Sequence, residues 1–119
     1  MKPCPVCWID FGAPDPVAAA GFFEELFGWN FIKESSPEYY QFMITDTIGG
    51  GISRSDNVPE RSAVVVYIWV DSIDDTEAEL QKRGGKVTLP KTVIHEGAWY
   101  AQFKDPSGNL FGLFESAPK

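Results

Sequence analysis

The sequence predicts an α+β fold built from two tandem β-α-β-β-β modules. Three observations carry that expectation. The order of strand-like and helix-like segments in the first half recurs in the second. Each half holds one helical stretch with a cap signal before it and glycine at its end. The third element of each half also matches loosely, "YYQFMITDTIGGG" against "WYAQFKDPSGNLFG". Module one is expected at 5–55, a linker at 56–62 and module two at 63–117, within one domain-sized chain of 119 residues.

In the first module "CWIDFGAPD" reads as a strand ending in a turn. The helix follows in "PDPVAAAGFFEELFGW", with Asp15 as N-cap and Pro16 at the first helical position. Ala19, Phe22, Phe23 and Leu26 recur at helical spacing, and Gly28 ends the run. "NFIKE", "YYQFMIT" and "GGISRS" read as short strands, and the polar, proline-bearing "SDNVPERS" as the linker. In the second module "AVVVYIWVD" is a strand. "DDTEAELQKRGG" is a helix with Asp74 or Asp75 near its cap and Gly84-Gly85 at its end. "KVTLPKTVIHEG", "WYAQFKD" and "NLFGLFE" supply the remaining strands and connectors, with Asp46 and Asp105 in equivalent turns. A helix can cover one face of each sheet and leave the other free, and two such sheets facing each other make a cleft.

Bulk properties narrow the function. Hydrophobic residues make up 44% and charged residues 23%, so a packed core is expected. A net charge of −7 excludes a general nucleic-acid binder, whose phosphate contacts need clustered Lys and Arg. No apolar run approaches the ~20 residues of a membrane span, and "MKPCPVCWIDF" lacks the apolar core of a signal peptide. No membrane partner and a cytoplasmic location are the expectation. Cys4 and Cys7 form a C-x-x-C that suits a redox pair or half a zinc site. The motif runs into a strand rather than a helix N-terminus, so two small residues entering the first strand is the favoured reading. "IGGGIS" reads as a triple glycine between strands. It is not a phosphate loop, because it lacks the following Lys-Ser/Thr.

Three segments in this order resemble the vicinal oxygen chelate superfamily, the glyoxalase, bleomycin-resistance and extradiol-dioxygenase fold. They are "AAAGFFEELFGW", "VDSIDDTEAELQKRGGKV" and "DPSGNLFGLFE". The resemblance spans nearly the whole chain and implies a curved mixed sheet around a cleft. It also implies that metal-dependent relatives hold a divalent ion through His, Glu or Gln at four strand positions, two per module. Carried over, these positions fall on Trp8, on or near Val65, near Ser53, and on Gly112. None is a good ligand: an indole offers only an N–H donor. No cofactor is therefore expected, with a divalent metal on unorthodox ligands left open. His95 and Glu96, in the "KTVIHEGAWY" connector, read as a solvated loop pair, with ligand or acid-base roles as the alternative.

Strand alternation then supplies the cleft lining. Asp10 shares a face with Trp8. Val65, Tyr67 and Trp69 share one face, and Val66, Ile68 and Val70 take the helix side. Leu110, Gly112 and Phe114 face the cleft, as do Tyr100 and Gln102, while Trp99, Ala101 and Phe103 enter the core. Gln41 and Met43 are expected to be the module-one equivalents of Tyr100 and Gln102. The lining is aromatic with a few amide and acid groups, as in a site for an aromatic or cationic small molecule. The expected function is metal-free binding of such a molecule by a homodimer, with the non-ligand residues leaning against an enzyme. The alternatives are a metal-dependent lyase, isomerase or dioxygenase of the glyoxalase type, and an accessory or interaction domain with a closed cleft.

Overall fold

A computed structural model describes residues 3–56 and 64–117. Apart from Asp56, the expected linker lies outside the described residues. The chain divides into two compact units. One runs from Cys7 to Val65, and the other runs from Val66 onward and includes the residues before Cys7. The Trp69 amide donates to the Pro5 carbonyl at 2.9 Å within the second unit.

The first unit holds β1 (Val6–Ala13), α1 (Pro16–Phe27), β2 (Asn30–Phe31), β3 (Tyr39–Met43) and β4 (Gly49–Arg54). Its strands are ordered β2-β3-β4-β1, with β1 parallel to β4 and the other pairs antiparallel. The second unit holds β5 (Val65–Trp69), α2 (Ile73–Lys82), β6 (Lys86–His95), β7 (Ala98–Lys104) and β8 (Leu110–Ser116). Its order is β5-β8-β7-β6, with β5 parallel to β8. The two repeats therefore share one β-α-β-β-β plan.

Local chemistry fixes both helices. The Asp15 side chain accepts from the Ala18 amide at 3.2 Å, Pro16 opens α1, and Gly28 closes it in the left-handed region at φ 69°. In α2 the cap is Ser72, whose hydroxyl accepts from the Asp75 amide at 3.1 Å, so Asp74 and Asp75 lie near the cap as expected. The two aspartates occupy the first turn, where the helix dipole favours negative charge. The Ile73 amide is held by the Glu115 carboxylate at 2.7 Å, which ties the start of α2 to β8.

Each helix packs on one face of its own sheet. In module one, Ala20 meets Phe31, Tyr40, Phe42 and Ile52, flanked by Phe11, Ala13 and Phe23. In module two, Val70, Ile73, Ala101 and Leu113 form the cluster, with Ile68, Leu80, Trp99 and Phe103 against it. Burying a side chain such as Phe42 or Ile52 contributes roughly 1.5–3 kcal/mol. The expected stripe on α1 needs correction. Phe22 and Leu26 are 58% and 61% exposed, and the inward face centres on Pro16, Ala20 and Phe23. The small Ala20 brings the helix close to an aromatic sheet, which turns Phe22 and Leu26 outward.

Two strand assignments also change. "KTVIH" is not a connector but the end of β6, paired with β7 as far as His95 opposite Ala98. The three glycines 49–51 lie inside β4, not between strands.

Candidate functional site

The site is built from the strand register. Asp10 and Tyr67 each stand six residues ahead of the first helical residue of their module, Pro16 or Ile73. Asp10 pairs with Gly51 and Tyr67 with Gly112. On the antiparallel side Gln41 pairs with Gly51, and Gln102 with Gly112. Gly51 and Gly112 are therefore equivalent, and so are Gln41 and Gln102, Tyr39 and Tyr100. This corrects two expectations. Gly51, not Ser53, matches Gly112, while Ser53 matches Phe114. The equivalents of Tyr100 and Gln102 are Tyr39 and Gln41, so Met43 matches Lys104. The turns confirm the register: the Ile44 amide donates to the Ile48 carbonyl at 2.7 Å, and the Asp105 amide to the Asn109 carbonyl at 3.0 Å. Ile44, not Asp46, occupies the place of Asp105.

On the sheet face of module one away from α1, three side chains form a closed ring of hydrogen bonds. The Trp8 indole N–H is shared between Asp10 Oδ1 and the Tyr39 hydroxyl, each at 2.9 Å. The Tyr39 hydroxyl donates in turn to Asp10 Oδ1 at 2.5 Å. Trp8 and Asp10 come together because alternation on β1 puts both on one face. Tyr39, which the sequence reading passed over, completes the ring. Its signal was available, since Tyr39, Gln41 and Met43 alternate on β3. Beneath these rings lie glycines. A Cβ on Gly51 would fall 2.2 Å from the Tyr39 ring, and one on Gly49 would fall 2.6 Å from Met43 Sδ and 3.2 Å from the Trp8 ring. The Tyr39 ring leaves no room for a side chain at Gly51, and at Gly49 the Phe42 carbonyl, which a Cβ would meet at 2.4 Å, leaves none. Gln41 and Ser53 share this face through their register with Gly51 and Tyr39.

Module two repeats the device with other residues. The Tyr67 ring, 5% exposed, lies on Gly112, where a Cβ would meet it at 2.2 Å. The Gln102 amide donates to the Tyr67 hydroxyl at 2.8 Å. Tyr100 stands beside Tyr67 with ring centroids 6.4 Å apart, and Trp69 meets Phe114 edge-on at 5.5 Å. Val65 is half-buried at the start of β5. His95 and Glu96 are exposed at the β6–β7 hairpin, with His95 Nδ1 3.1 Å from the Glu96 carbonyl.

Two further groups bear on reactivity. Cys4 is exposed, while Cys7 is buried in β1, and burial pushes its thiol up to about 11. A thiolate at Cys7 is disfavoured, which argues against a redox pair. In module two, Lys91 lies 4.6 Å over the Trp99 ring and pairs with Asp74 at 3.6 Å and Glu115 at 3.5 Å. This ion cluster lies among residues that brace α2.

The metal positions implied by the family resemblance become Trp8, Gly51, Val65 and Gly112. A Trp offers no lone pair to a metal, Val and Gly offer no side-chain donor, and tyrosine rings cover both glycines. Among the described residues no group of three or more His, Cys, Asp or Glu could hold an ion. The residues at these positions do not fit a metal.

Comparison with known proteins agrees with this plan. The family description "Glyoxalase/Bleomycin resistance protein/Dioxygenase superfamily" matches residues 7–113. CFP32 of Mycobacterium tuberculosis, a protein provisionally named a glyoxylase, is 26% identical over 116 residues, covering 92% of this chain and 44% of its own. The anthracycline biosynthesis protein DnrV of Streptomyces peucetius is 27% identical over 125 residues, covering 90% of this chain and 45% of its own. The chain thus spans less than half the length of these relatives. Among solved structures, a variant of Streptomyces coelicolor methylmalonyl-CoA epimerase aligns with a TM-score of 0.71 at 16% identity, covering 98% and 96% of the two chains. A superfamily member from Vibrio splendidus aligns with a TM-score of 0.69 at 15% identity, covering 95% and 99%. At such identities the structures bear on the fold alone. No helix among the described residues is long and apolar enough to cross a membrane.

Proposed function

The chain belongs to the glyoxalase/bleomycin resistance protein/dioxygenase superfamily, and from that premise we propose that its first module binds a small aromatic or cationic molecule without a metal. The observation that carries this reading is the hydrogen-bonded ring of Trp8, Asp10 and Tyr39. It fixes two half-buried aromatic planes around one carboxylate. Apolar walls with a few placed polar groups are what a small-molecule site presents, and aromatic faces attract cations. The donors to Asp10 hold the carboxylate in place, so a ligand cation meets a charge already oriented. The name of one relative, an anthracycline biosynthesis protein, supports a planar aromatic ligand.

A second reading, an accessory domain with closed faces, draws on the tyrosine rings that lie on Gly51 and Gly112. One titration separates the two. An anthracycline, planar and amine-bearing, and a neutral planar aromatic are each titrated while tryptophan fluorescence and melting temperature are read. Binding to the native state gives saturable quenching and a rising melting temperature. Asp10→Asn, which keeps an acceptor for Trp8 and Tyr39, is expected to weaken the amine-bearing probe about tenfold, about 1.4 kcal/mol. It should leave the neutral probe nearly unchanged. No saturable binding of either probe would sink the reading and favour closed faces.

A further inference from the structure

Gln41 and Gln102 occupy one register position in the two modules, opposite Gly51 and Gly112. Their side chains do different things. The Gln102 amide donates to the Tyr67 hydroxyl at 2.8 Å. Among the described residues no hydrogen bond engages the Gln41 side-chain amide. The cause is the residue two strands away. Tyr67 is long enough to cross Gly112 and meet Gln102, whereas Asp10 stands across Gly51 from Gln41. Two strand spacings are about 10 Å, more than a short carboxylate spans. Tyr39 covers Gly51 instead, and its hydroxyl turns to Asp10 and Trp8, away from Gln41 on its own strand.

Gln41 is nonetheless held in place. Its backbone amide donates to the Ser35 hydroxyl at 3.0 Å, and its carbonyl accepts from the Ile32 amide at 2.9 Å. Its neighbours Tyr40 and Phe42 are buried against α1, so alternation fixes Gln41 on the opposite face, half-buried between Tyr39 and Met43. Directly opposite Gly51, its Cβ stands about 5 Å from the space that the Tyr39 ring fills. The Tyr39 ring thus has an acid on one side and an amide on the other. A primary amide carries two donors and an acceptor in one plane, and here they are aimed at whatever rests on that ring.

Resting on the function proposed above, we propose that Gln41 is a specificity-determining residue of the module-one site, and that it selects a planar aromatic amine bearing a ring carbonyl oxygen. The aromatic plane lies on Tyr39, the amine meets Asp10, and the ring oxygen accepts from the Gln41 amide. The two polar contacts flank Tyr39 on strands two spacings apart, which suits a fused ring system rather than a single ring.

Isothermal titration calorimetry on the full chain tests this with two matched probes. One is an anthraquinone and the other an anthracene, each carrying the same aminoalkyl chain, so that they differ only in the ring oxygens. The readout is the ratio of their dissociation constants. Gln41→Leu should shift that ratio against the anthraquinone by about fivefold, the worth of one neutral hydrogen bond. Gln41→Glu, equal in size but without an N–H, should shift it further, because a carboxylate then faces the carbonyl oxygen. Melting of the ligand-free chain supplies the second readout. Gln102→Leu should lower the melting temperature by several degrees, since the Tyr67 hydroxyl loses a donor, while Gln41→Leu should leave it nearly unchanged. A ratio that stays the same in Gln41→Leu while both probes still bind would overturn this inference and leave the proposed function standing. Equal melting losses in the two leucine variants would overturn it as well, because the Gln41 amide would then serve the fold. No binding of either probe by the wild type would overturn the inference together with the function it rests on.

Discussion

Gly112→Ala is a one-carbon change whose cost depends on a single neighbour. The added Cβ would lie 2.2 Å from two atoms of the Tyr67 ring, far inside van der Waals contact. The ring cannot easily retreat. It is 5% exposed, its hydroxyl is held by Gln102 at 2.8 Å, and Tyr100 stands beside it. Overpacking of this kind costs about 1–3 kcal/mol. Alanine recovers about 0.5–1 kcal/mol of that, because glycine loses more freedom on entering a strand. The net expectation is a loss of about 1–2 kcal/mol, or roughly 4–8 °C in melting temperature for a chain of this size. The assay is urea denaturation of a double-mutant cycle with Tyr67→Ala. Tyr67→Ala alone is expected to cost about 3–5 kcal/mol, as for other buried aromatic deletions. In that background the clash is gone, and Gly112→Ala should become neutral or stabilising by up to about 1 kcal/mol. A Gly112→Ala penalty of equal size in both backgrounds would refute the argument that Tyr67 requires the glycine.

Two titrating groups give further expectations. Burial holds the Cys7 thiol above its ordinary range, at about 11, so the folded chain retains a proton that the unfolded chain loses above about pH 9. The stability linked to Cys7 is thus complete below that pH and is lost as pH rises toward 11. Cys7→Ala should flatten the decline, and native protein at pH 8 should label with a thiol reagent at Cys4 only. The Asp105 carboxylate is held below the usual range by hydrogen bonds from the Asn109 amide and side chain, with the Ser107 amide adding to them. Its contribution is present at neutral pH and is lost as pH falls through its lowered value. Asp105→Ala should melt below the wild type at pH 7, with the gap closing in strong acid.

Much of this fold was legible because local signals agree with the global plan. Asp15, Pro16 and Gly28 mark α1 through chemistry that needs no tertiary partner. Alternation placed Trp8 with Asp10, and Tyr67 with Trp69, on the correct strand faces, because burial against a helix fixes the register. The errors arose where two different residues do one job. Asp105 closes its turn by accepting from the amides of Ser107 and Asn109. In module one the hydroxyl of Thr45, one position further on, accepts from Thr47 and Ile48. Aligning the two modules on Asp46 and Asp105 therefore slipped the register by two residues. That slip put Met43 where Gln41 belongs, put Ser53 where Gly51 belongs, and left Tyr39 out. The outward turn of Phe22 and Leu26 was illegible for another reason. Helical spacing finds an apolar stripe only when the other face is polar, and α1 has no polar face.

The register also explains why the two modules carry different chemistry on one frame. Gly51 and Gly112 match, as do Gln41 and Gln102, and Tyr39 and Tyr100. The position that differs is Asp10 against Tyr67. With a short carboxylate at position 10, the ring over the glycine comes from β3, as Tyr39 reaches diagonally across to Gly51 and bonds Asp10. With a tyrosine at position 67, that ring comes from β5 itself, and Tyr100 stands aside. The constant element is thus a glycine under an aromatic plane, and one residue decides which strand supplies the plane. The same residue decides the charge. Module one presents an acid that accepts from Trp8 and Tyr39, while module two presents a phenol that accepts from the Gln102 amide. Under the proposed function, discrimination between charged and neutral ligands would rest on Asp10, while Tyr67 and Gln102 would contribute shape and hydrogen bonding.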